Sequence, residues 1–442
     1  MKVPLILLSL FIAKSEAFTS AVVRKYGLYR STSLSHSLLT KDDYSIADSF
    51  NLVILGDLHM EDDMTYHKQA RSDCMKALED LSILTATLTD EERVQNHSMD
   101  KAQNKHVTVK DIISRVQSVP AGDLSENELE ILLEHKRKGF LMKSFMVSLG
   151  DLGRKDIRKE QGDAGTTKSF VDAKTFFDGF GLPYDLVTGN HDLEGLYEFD
   201  TDEENLKSWM TCFGKSEPYF SRQIGEKTIL IGMSTVRFRD SPHSSHECHV
   251  DDAQLEWFQR VVEEHPHEDG WKVFVFTHAP IMGSNLRVLQ NVHVINGCAW
   301  MNHCSPNRSA FIQTVRQNPQ IKLWFSGHFH LSHDYEDALS KVNQCTFVQA
   351  GVMGPLSSRD QRRQTRIVQG NEDLINIYTV NHHKRRGETG TADLRLDAQI
   401  DVKKGTLTFE NSDEDLDNEN WFRAYTPEEE DGLVMMSMVI AN

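Results

Sequence analysis

Asn51-Leu52-Val53-Ile54-Leu55-Gly56-Asp57-Leu58-His59 runs from four aliphatic side chains through a glycine into an aspartate and a histidine. A short apolar run closed by a turn residue is the pattern of a strand buried on both faces, as in a parallel sheet covered by helices. The pattern returns along the chain. Phe145–Leu149 precedes Gly150, and Tyr184–Val187 comes shortly before Gly189. Thr228–Ser234 (TILIGMS), Lys272–Phe276 (KVFVF) and Ile321–Phe325 (IKLWF) complete the series. Helical stretches fall between several of these runs. Ser125 and Glu128 form a capping box ahead of LEILLEHKRK, which Gly139 can close. Asp251 caps AQLEWFQRVVEEH, and Ser305-Pro306 opens NRSAFIQTVRQN. Strands alternating with helices predict an α/β layered fold. From Thr346 onward the pattern becomes β-rich: CTFVQAG, LINIYTV, LRLDAQIDV and TLTFE read as strands, with a hairpin turn at Lys404-Gly405.

Five of the apolar runs end in polar clusters: Gly56-Asp57-Leu58-His59, Gly150-Asp151-Leu152-Gly153-Arg154, Gly189-Asn190-His191-Asp192, Thr277-His278-Ala279-Pro280 and Gly327-His328-Phe329-His330. In open α/β sheets, ligands bind outside the carboxyl ends of the strands. Strands that deliver Asp, Asn and His to one edge supply what a site with many metal ligands requires. Mixed carboxylate and imidazole donors suit Mn, Fe or Zn better than Ca. No cysteine lies in these clusters, which excludes a thiolate site. The candidate ligands exceed what one tetrahedral ion takes, whereas two ions sharing a carboxylate fit the set.

The ordered set DxH, GD, GNHD, H and GHxH, spread over residues 56–330, resembles the calcineurin-like metallophosphoesterases. Each motif alone is weak; their order, each after a strand, carries the resemblance. It implies a four-layer α/β/β/α sandwich. Residues 60–140, polar and largely helical in pattern, read as an insertion between the first two motifs, by default a solvated decoration. The resemblance also implies roles. Asp57, His59 and His330 would hold one ion, Asn190, His278 and His328 a second, and Asp151 would bridge them. A hydroxide between the two transition-metal ions (Mn, Fe or Zn) would be the nucleophile. His191 would be the general acid and Asp192 would orient its imidazole. The implied substrate is a phosphomonoester or phosphodiester, on a small molecule or a phosphoprotein. The alternative is a catalytically weak metal-binding scaffold of the same fold, which calls for a broken site; none of the eight core positions is broken.

The chain departs from the family at some places. Many members read GDxxDR at the second motif, whereas Arg154 comes one residue earlier here, so a phosphate-binding arginine is not carried over. No tyrosine sits near Asp151, which disfavours the purple acid phosphatase branch. Arg359, Arg362, Arg363 and Arg366 read either as facing an anionic substrate or as a solvated run. The loop Asn296–His303 is placed to line the pocket, and His243, His246 and His249 read as surface residues.

Composition bounds the rest. The 442 residues are 39% hydrophobic and 26% charged, ordinary for a globular chain, with a formal net charge of -18. Such an acidic balance argues against stable nucleic-acid binding, which draws on basic stripes. The six cysteines have irregular spacing and read as mostly free or buried thiols. Lys2, the apolar run Val3–Ala13 and small residues at Ser15 and Ala17 describe a signal peptide over residues 1–17, too short to span a membrane. No other stretch is apolar enough to span, so no membrane span is expected once this presequence is removed. Residues 18–43 form a Ser-rich leader in which Arg24, Lys25, Arg30 and Lys41 precede the first acidic residue. With Phe18 after Ala17, this resembles the bipartite plastid presequence of diatoms and related algae; simple secretion is the alternative. The catalytic domain is expected over residues 44–409, with an acidic tail over 410–442.

Overall fold

The computed structural model describes residues 49–87, 143–154, 162–244, 246–286, 291–354, 362–371, 373–382 and 393–409. The residues read as a presequence, the capping box at Ser125, Arg359 and the acidic residues 410–442 lie outside the described residues. The chain is a mixed α/β protein with two mixed sheets. The elements in chain order are β1 (Phe50–Leu55), α1 (Thr65–Thr87), β2 (Ser144–Ser148), α2 (Thr167–Asp178), β3 (Tyr184–Leu186), α3 (Asp202–Phe213), β4 (Phe220–Gly225), β5 (Thr228–Met233) and α4 (Asp252–Glu263). They continue with β6 (Lys272–Thr277), α5 (Asn291–Ile295), α6 (Ala310–Gln317), β7 (Ile321–Ser326), β8 (Leu339–Val342), β9 (Cys345–Gln349), β10 (Gln364–Gly370), β11 (Leu374–Asn381), β12 (Asp393–Asp401) and β13 (Thr406–Phe409).

The first sheet has the order β13-β12-β11-β10-β1-β2-β3, and the second β4-β5-β6-β7-β9-β8. β1, β2 and β3 run parallel, as do β5, β6, β7 and β9. The strands read as continuous apolar runs, β1, β2, β6 and β7, are buried at every residue. Their side chains alternate between two cores, as the period of a strand demands. Leu52 and Ile54 of β1 join Phe274 and Phe276 of β6 and Leu323 and Phe325 of β7 in a core shared by both sheets. Phe50 meets Phe274 edge-on at 5.4 Å across it. Val53 and Leu55 instead pack with Phe170, Phe176 and Phe177 of α2 and Trp209 of α3. Val273, Val275 and Trp324 pack with Phe258 of α4 and Phe311 of α6.

Local signals explain the starts of three helices. Asp251 accepts from Gln254 N at 3.0 Å, as read from the sequence, and Thr166 and Thr201 cap α2 and α3 in the same way. The helix expected from Ser305-Pro306 begins later, at Ala310. Residues 305–309 are held in turns instead, because the Ser305 backbone and hydroxyl are tied to the buried Glu247 carboxylate.

Two further readings are corrected. The beginning of the expected insertion is no solvated decoration: α1 buries Ala70, Cys74, Ala77, Leu78 and Leu81 against the first sheet. Two members of the arginine run are no solvated surface either. Arg363 and Arg366 are buried at the start of β10, beside β1, where Ile54 pairs with Arg366. Arg366 is bonded to Asp397 and Thr379, and Arg363 donates to the Met353 carbonyl at 2.7 Å. Arg362 pairs with Asp334, which also takes Arg395 at 2.6 Å. Buried charge is tolerated there because each guanidinium meets carboxylates or carbonyls. The six cysteines are free, four of them buried. Among the described residues no helix is long and apolar enough to cross a membrane.

Candidate metal centre

Asp57, Asp151 and Asn190 follow the adjacent strands β1, β2 and β3 of one sheet, and His278 and His328 follow the adjacent strands β6 and β7 of the other. The clusters therefore meet at the carboxyl edge of both sheets. Close approach there needs glycine. A Cβ on Gly189 would lie 2.1 Å from Asp151 Oδ1, and one on Gly327 would lie 2.5 Å from Asp57 Oδ2. The backbone is also strained. His59, Asp151, His328 and His330 have positive φ values of 41°, 51°, 72° and 55°. Non-glycine residues adopt this region at a cost of order 1–3 kcal/mol each, and such residues cluster at functional sites.

The side chains form two groups that share Asp151. In the first, donor atoms of Asp57, His59, Asp151 and His330 all lie within 4.8 Å of one another. His59 Nε2 is 2.9 Å from His330 Nε2 and 3.6 Å from Asp151 Oδ2, and His330 Nε2 is 3.5 Å from Asp57 Oδ1. In the second, His278 Nε2 lies 3.0 Å from Asn190 Oδ1, 3.2 Å from His328 Nδ1 and 3.3 Å from Asp151 Oδ2. The structure thus brings together all seven residues that the motifs single out as ligands.

Backbone carbonyls fix how three imidazoles point. His59 Nδ1 donates to Gly153 O at 3.3 Å, His278 Nδ1 to Leu149 O at 2.9 Å, and His328 Nε2 to Cys298 O at 2.7 Å. With the rear nitrogen as donor, the front nitrogen of each ring faces the cluster and, when the ring is neutral, presents a lone pair to it, the usual arrangement of metal-ligating histidines. Burial, with His330 alongside, pushes the His59 ring down to about 3, and burial with His278 does the same to His328. Burial opposes charge on Asp57, yet His330 and His278 hold its carboxyl below the ordinary range. Burial likewise opposes charge on Asp151, and His278 and His191 hold it low. His278 is the exception: burial works against its charge, but Asp151 and Asp57 push it up to about 9. Asp151 Oδ2 is buried and accepts no hydrogen bond. Converging lone pairs around an unbonded carboxylate oxygen fit cations, and the donor types fit transition metals.

His191 sits beside this cluster, its Nε2 4.0 Å from Asp151 Oδ2. Asp192 does not orient it. The Asp192 carboxylate accepts from Asp151 N at 2.9 Å, Gly189 N at 2.8 Å and Leu152 N at 2.9 Å, clamping the loops after β2 and β3 together. Burial and Asp151 push this carboxyl up to about 7. The acceptor on His191 Nδ1 is Glu194, at 2.6 Å. Its place three residues after His191, one helical turn on, is the signal that sequence reading passed over.

The neighbourhood holds other residues that the motifs missed. His293 of α5 stacks on His328 at 5.2 Å. Cys298, from the loop placed along the pocket, supplies the carbonyl under His328, whereas His303 packs on Trp300. Of the three histidines read as surface, His243 and His246 are exposed. His249 is buried beside Ser305 and Glu247. Arg154 faces Glu61 at 3.6 Å. Solvent reaches the cluster from one side: the His191 and His330 side chains are 23% and 14% exposed, while those of Asp57 and His278 are closed off.

Among solved structures, the chain is similar to a dimetal phosphatase from Danio rerio (12% identity, 76% of this chain and 97% of that chain, TM-score 0.44). It is also similar to PhoD (11% identity, 66% and 72%, TM-score 0.41) and to the purple acid phosphatase PPD1 of yellow lupin, Lupinus luteus (9% identity, 79% and 54%, TM-score 0.41). No protein-family model and no curated protein sequence matches it.

Proposed function

We propose that the chain is a metal-dependent phosphoesterase whose centre is formed by Asp57, His59, Asp151, Asn190, His278, His328 and His330. One observation carries this reading: lone pairs from two sheets converge on a buried carboxylate oxygen that accepts no hydrogen bond. Asp57, His59 and His330 would hold one ion, Asn190, His278 and His328 another, with Asp151 between them. Two such ions, when bound, would supply Lewis acidity at phosphorus and make water a nucleophile near neutral pH.

The chain's own groups supply the rest. The open side at His191 and His330 admits a phosphoryl group, while the buried walls keep the anionic carboxylates out of bulk water. Hydrolysis forms a bond from water oxygen to phosphorus and breaks the bond to the ester oxygen. His191, protonated at both nitrogens with Nδ1–H held by Glu194, gives its Nε2 proton to that departing oxygen, and the proton released by the attacking water restores the ring, yielding an alcohol and a phosphate. The backbone N–H of His191 donates to Asp151 Oδ1 at 2.9 Å, so acid and centre are fixed to one another. The substrate class is a phosphomonoester or phosphodiester. The test is metal analysis together with turnover of 4-nitrophenyl phosphate and its bis-ester. About two ions per chain are expected, with hydrolysis of at least one of these esters, and His191→Ala should slow turnover of phenyl phosphate, whose leaving group needs a proton, by about 10²-fold or more. Bound metal with neither ester turned over, and no effect of His191→Ala, would sink the reading.

A further inference from the structure

We propose that Glu194 is the positioning residue for His191, setting which nitrogen meets the substrate; this rests on the phosphoesterase reading above. His191 begins a single 3-10 turn, His191–Leu193, and Glu194 closes it with its N–H on the His191 carbonyl at 3.3 Å. The turn folds the Glu194 side chain back onto His191 Nδ1 at 2.6 Å, with the Glu194 side chain 9% exposed. A carboxylate is acceptor-only, so the proton on this bond belongs to Nδ1. That leaves Nε2 as the nitrogen facing Asp151, at 4.0 Å, and the one available to a leaving-group oxygen.

The neighbouring carboxylate is not free for this task, because Asp192 is taken up by three backbone N–H groups. Glu194 is held from behind. Gly195 N donates to Asn205 Oδ1 at 2.9 Å, and Asn205 Nδ2 donates to Gly165 O at 2.8 Å. A Cβ on Gly165 would lie 2.7 Å from Glu194 N, so this backbone packs closely. The His191 ring is bounded on another side by His59, edge-on at 5.1 Å. The ring is therefore set with Nδ1 on Glu194 and its Nε2 edge toward the cluster.

The experiment compares Glu194→Ala, His191→Ala and the double variant, in the full metal-loaded chain, on phenyl phosphate and 4-nitrophenyl phosphate. Phenolate leaves poorly without a proton, whereas 4-nitrophenolate needs little help. Glu194→Ala should lower kcat on phenyl phosphate by about ten- to a hundred-fold, less on 4-nitrophenyl phosphate, with metal content unchanged. It should cause no further loss in the His191→Ala background, since a residue acting through His191 has nothing left to act on. Glu194→Gln, which keeps an acceptor, should restore most of the rate. An independent readout is the Nδ1-bound proton of His191 in nitrogen-15 NMR of the full chain, assigned by its loss in His191→Ala. It should be present in the wild type and displaced in Glu194→Ala. A wild-type ring protonated only at Nε2 overturns the proposal whatever the activity. So does a loss from Glu194→Ala that is undiminished in the double variant. Failure of the phosphoesterase reading looks different: neither ester is hydrolysed, while the Nδ1 proton still depends on Glu194.

Discussion

Replacing Gly189 by alanine adds one methyl group beside the carboxylate that both halves of the centre share. The Gly189 backbone is not in the left-handed region, so alanine meets no conformational barrier of its own. Its Cβ, however, would stand 2.1 Å from Asp151 Oδ1 and 2.7 Å from His278 Nδ1. Real Cβ contacts hardly ever fall below 3.0 Å, so Asp151 Oδ1 must move by at least about 0.9 Å. That movement loosens its bond from His191 N, now 2.9 Å, and strain on His278 loosens the one to Leu149 O, also 2.9 Å. A displacement of about 1 Å at a reacting centre costs on the order of 10²-fold in rate, and overpacking costs about 1–3 kcal/mol of stability. The assay is kcat on 4-nitrophenyl phosphate beside metal affinity and urea unfolding, with Gly214→Ala as control. Gly214 ends α3 at φ 65° with nothing within 4 Å of an added Cβ. Its substitution should cost about 1–2 kcal/mol of stability and leave turnover alone. If Gly189→Ala keeps both metal affinity and turnover within about threefold of the wild type, Asp151 is not held where this reasoning needs it.

Three other expectations follow from the same geometry. Excess Mn2+ should raise the unfolding free energy relative to chelator-treated protein, by about 2.7 kcal/mol per ion at a hundred times the dissociation constant; Asp57→Asn should remove most of that gain, and an equal gain in the variant would contradict the site. Burial opposes charge on Glu247, but His249, Ser241, the Cys304 N–H and the Ser305 hydroxyl hold its carboxyl down to about 2, from 4.5. A folded-state value below the unfolded one means its contribution is full above about 4.5 and fades toward 2. The urea-midpoint gap between wild type and Glu247→Gln should therefore narrow as pH falls from 6 to 3; a constant gap would refute the assignment. Arg366→Met leaves Asp397 buried with only part of its partners and should cost about 3–5 kcal/mol in urea unfolding, much of it recovered by also changing Asp397 to leucine.

Much of the scaffold is legible in residue order because the strands under the site are buried on both faces. β1, β2, β6 and β7 carry apolar runs of three or four residues, and a buried run of that kind has few other places in a fold. β4 escapes the same reading because its middle is exposed and polar (Ser221-Arg222-Gln223). β10 escapes because Arg366 sits where a strand next to β1 would normally carry an aliphatic group; only its pairing with Asp397, distant in sequence, allows burial. The site is legible wherever a donor follows a strand directly. Asp192 and Glu194 show the limit of spacing. Both lie close to His191 in the chain, and only the turn geometry decides that Glu194 meets the ring while Asp192 staples neighbouring backbone.

The donors come from loops of two sheets that share no hydrogen-bonded strand pair among the described residues. Side-chain packing between Phe50, Phe274 and their neighbours is what joins those sheets through the interior. Cations seated among Asp57, Asn190, His278 and His328 would add a polar clasp at one end of that greasy seam. Loss of metal would then be felt as a loosening between halves of the molecule, well beyond the few residues that touch the ions. Conversely, a cavity opened deep in the seam would weaken metal affinity with every ligand still in place.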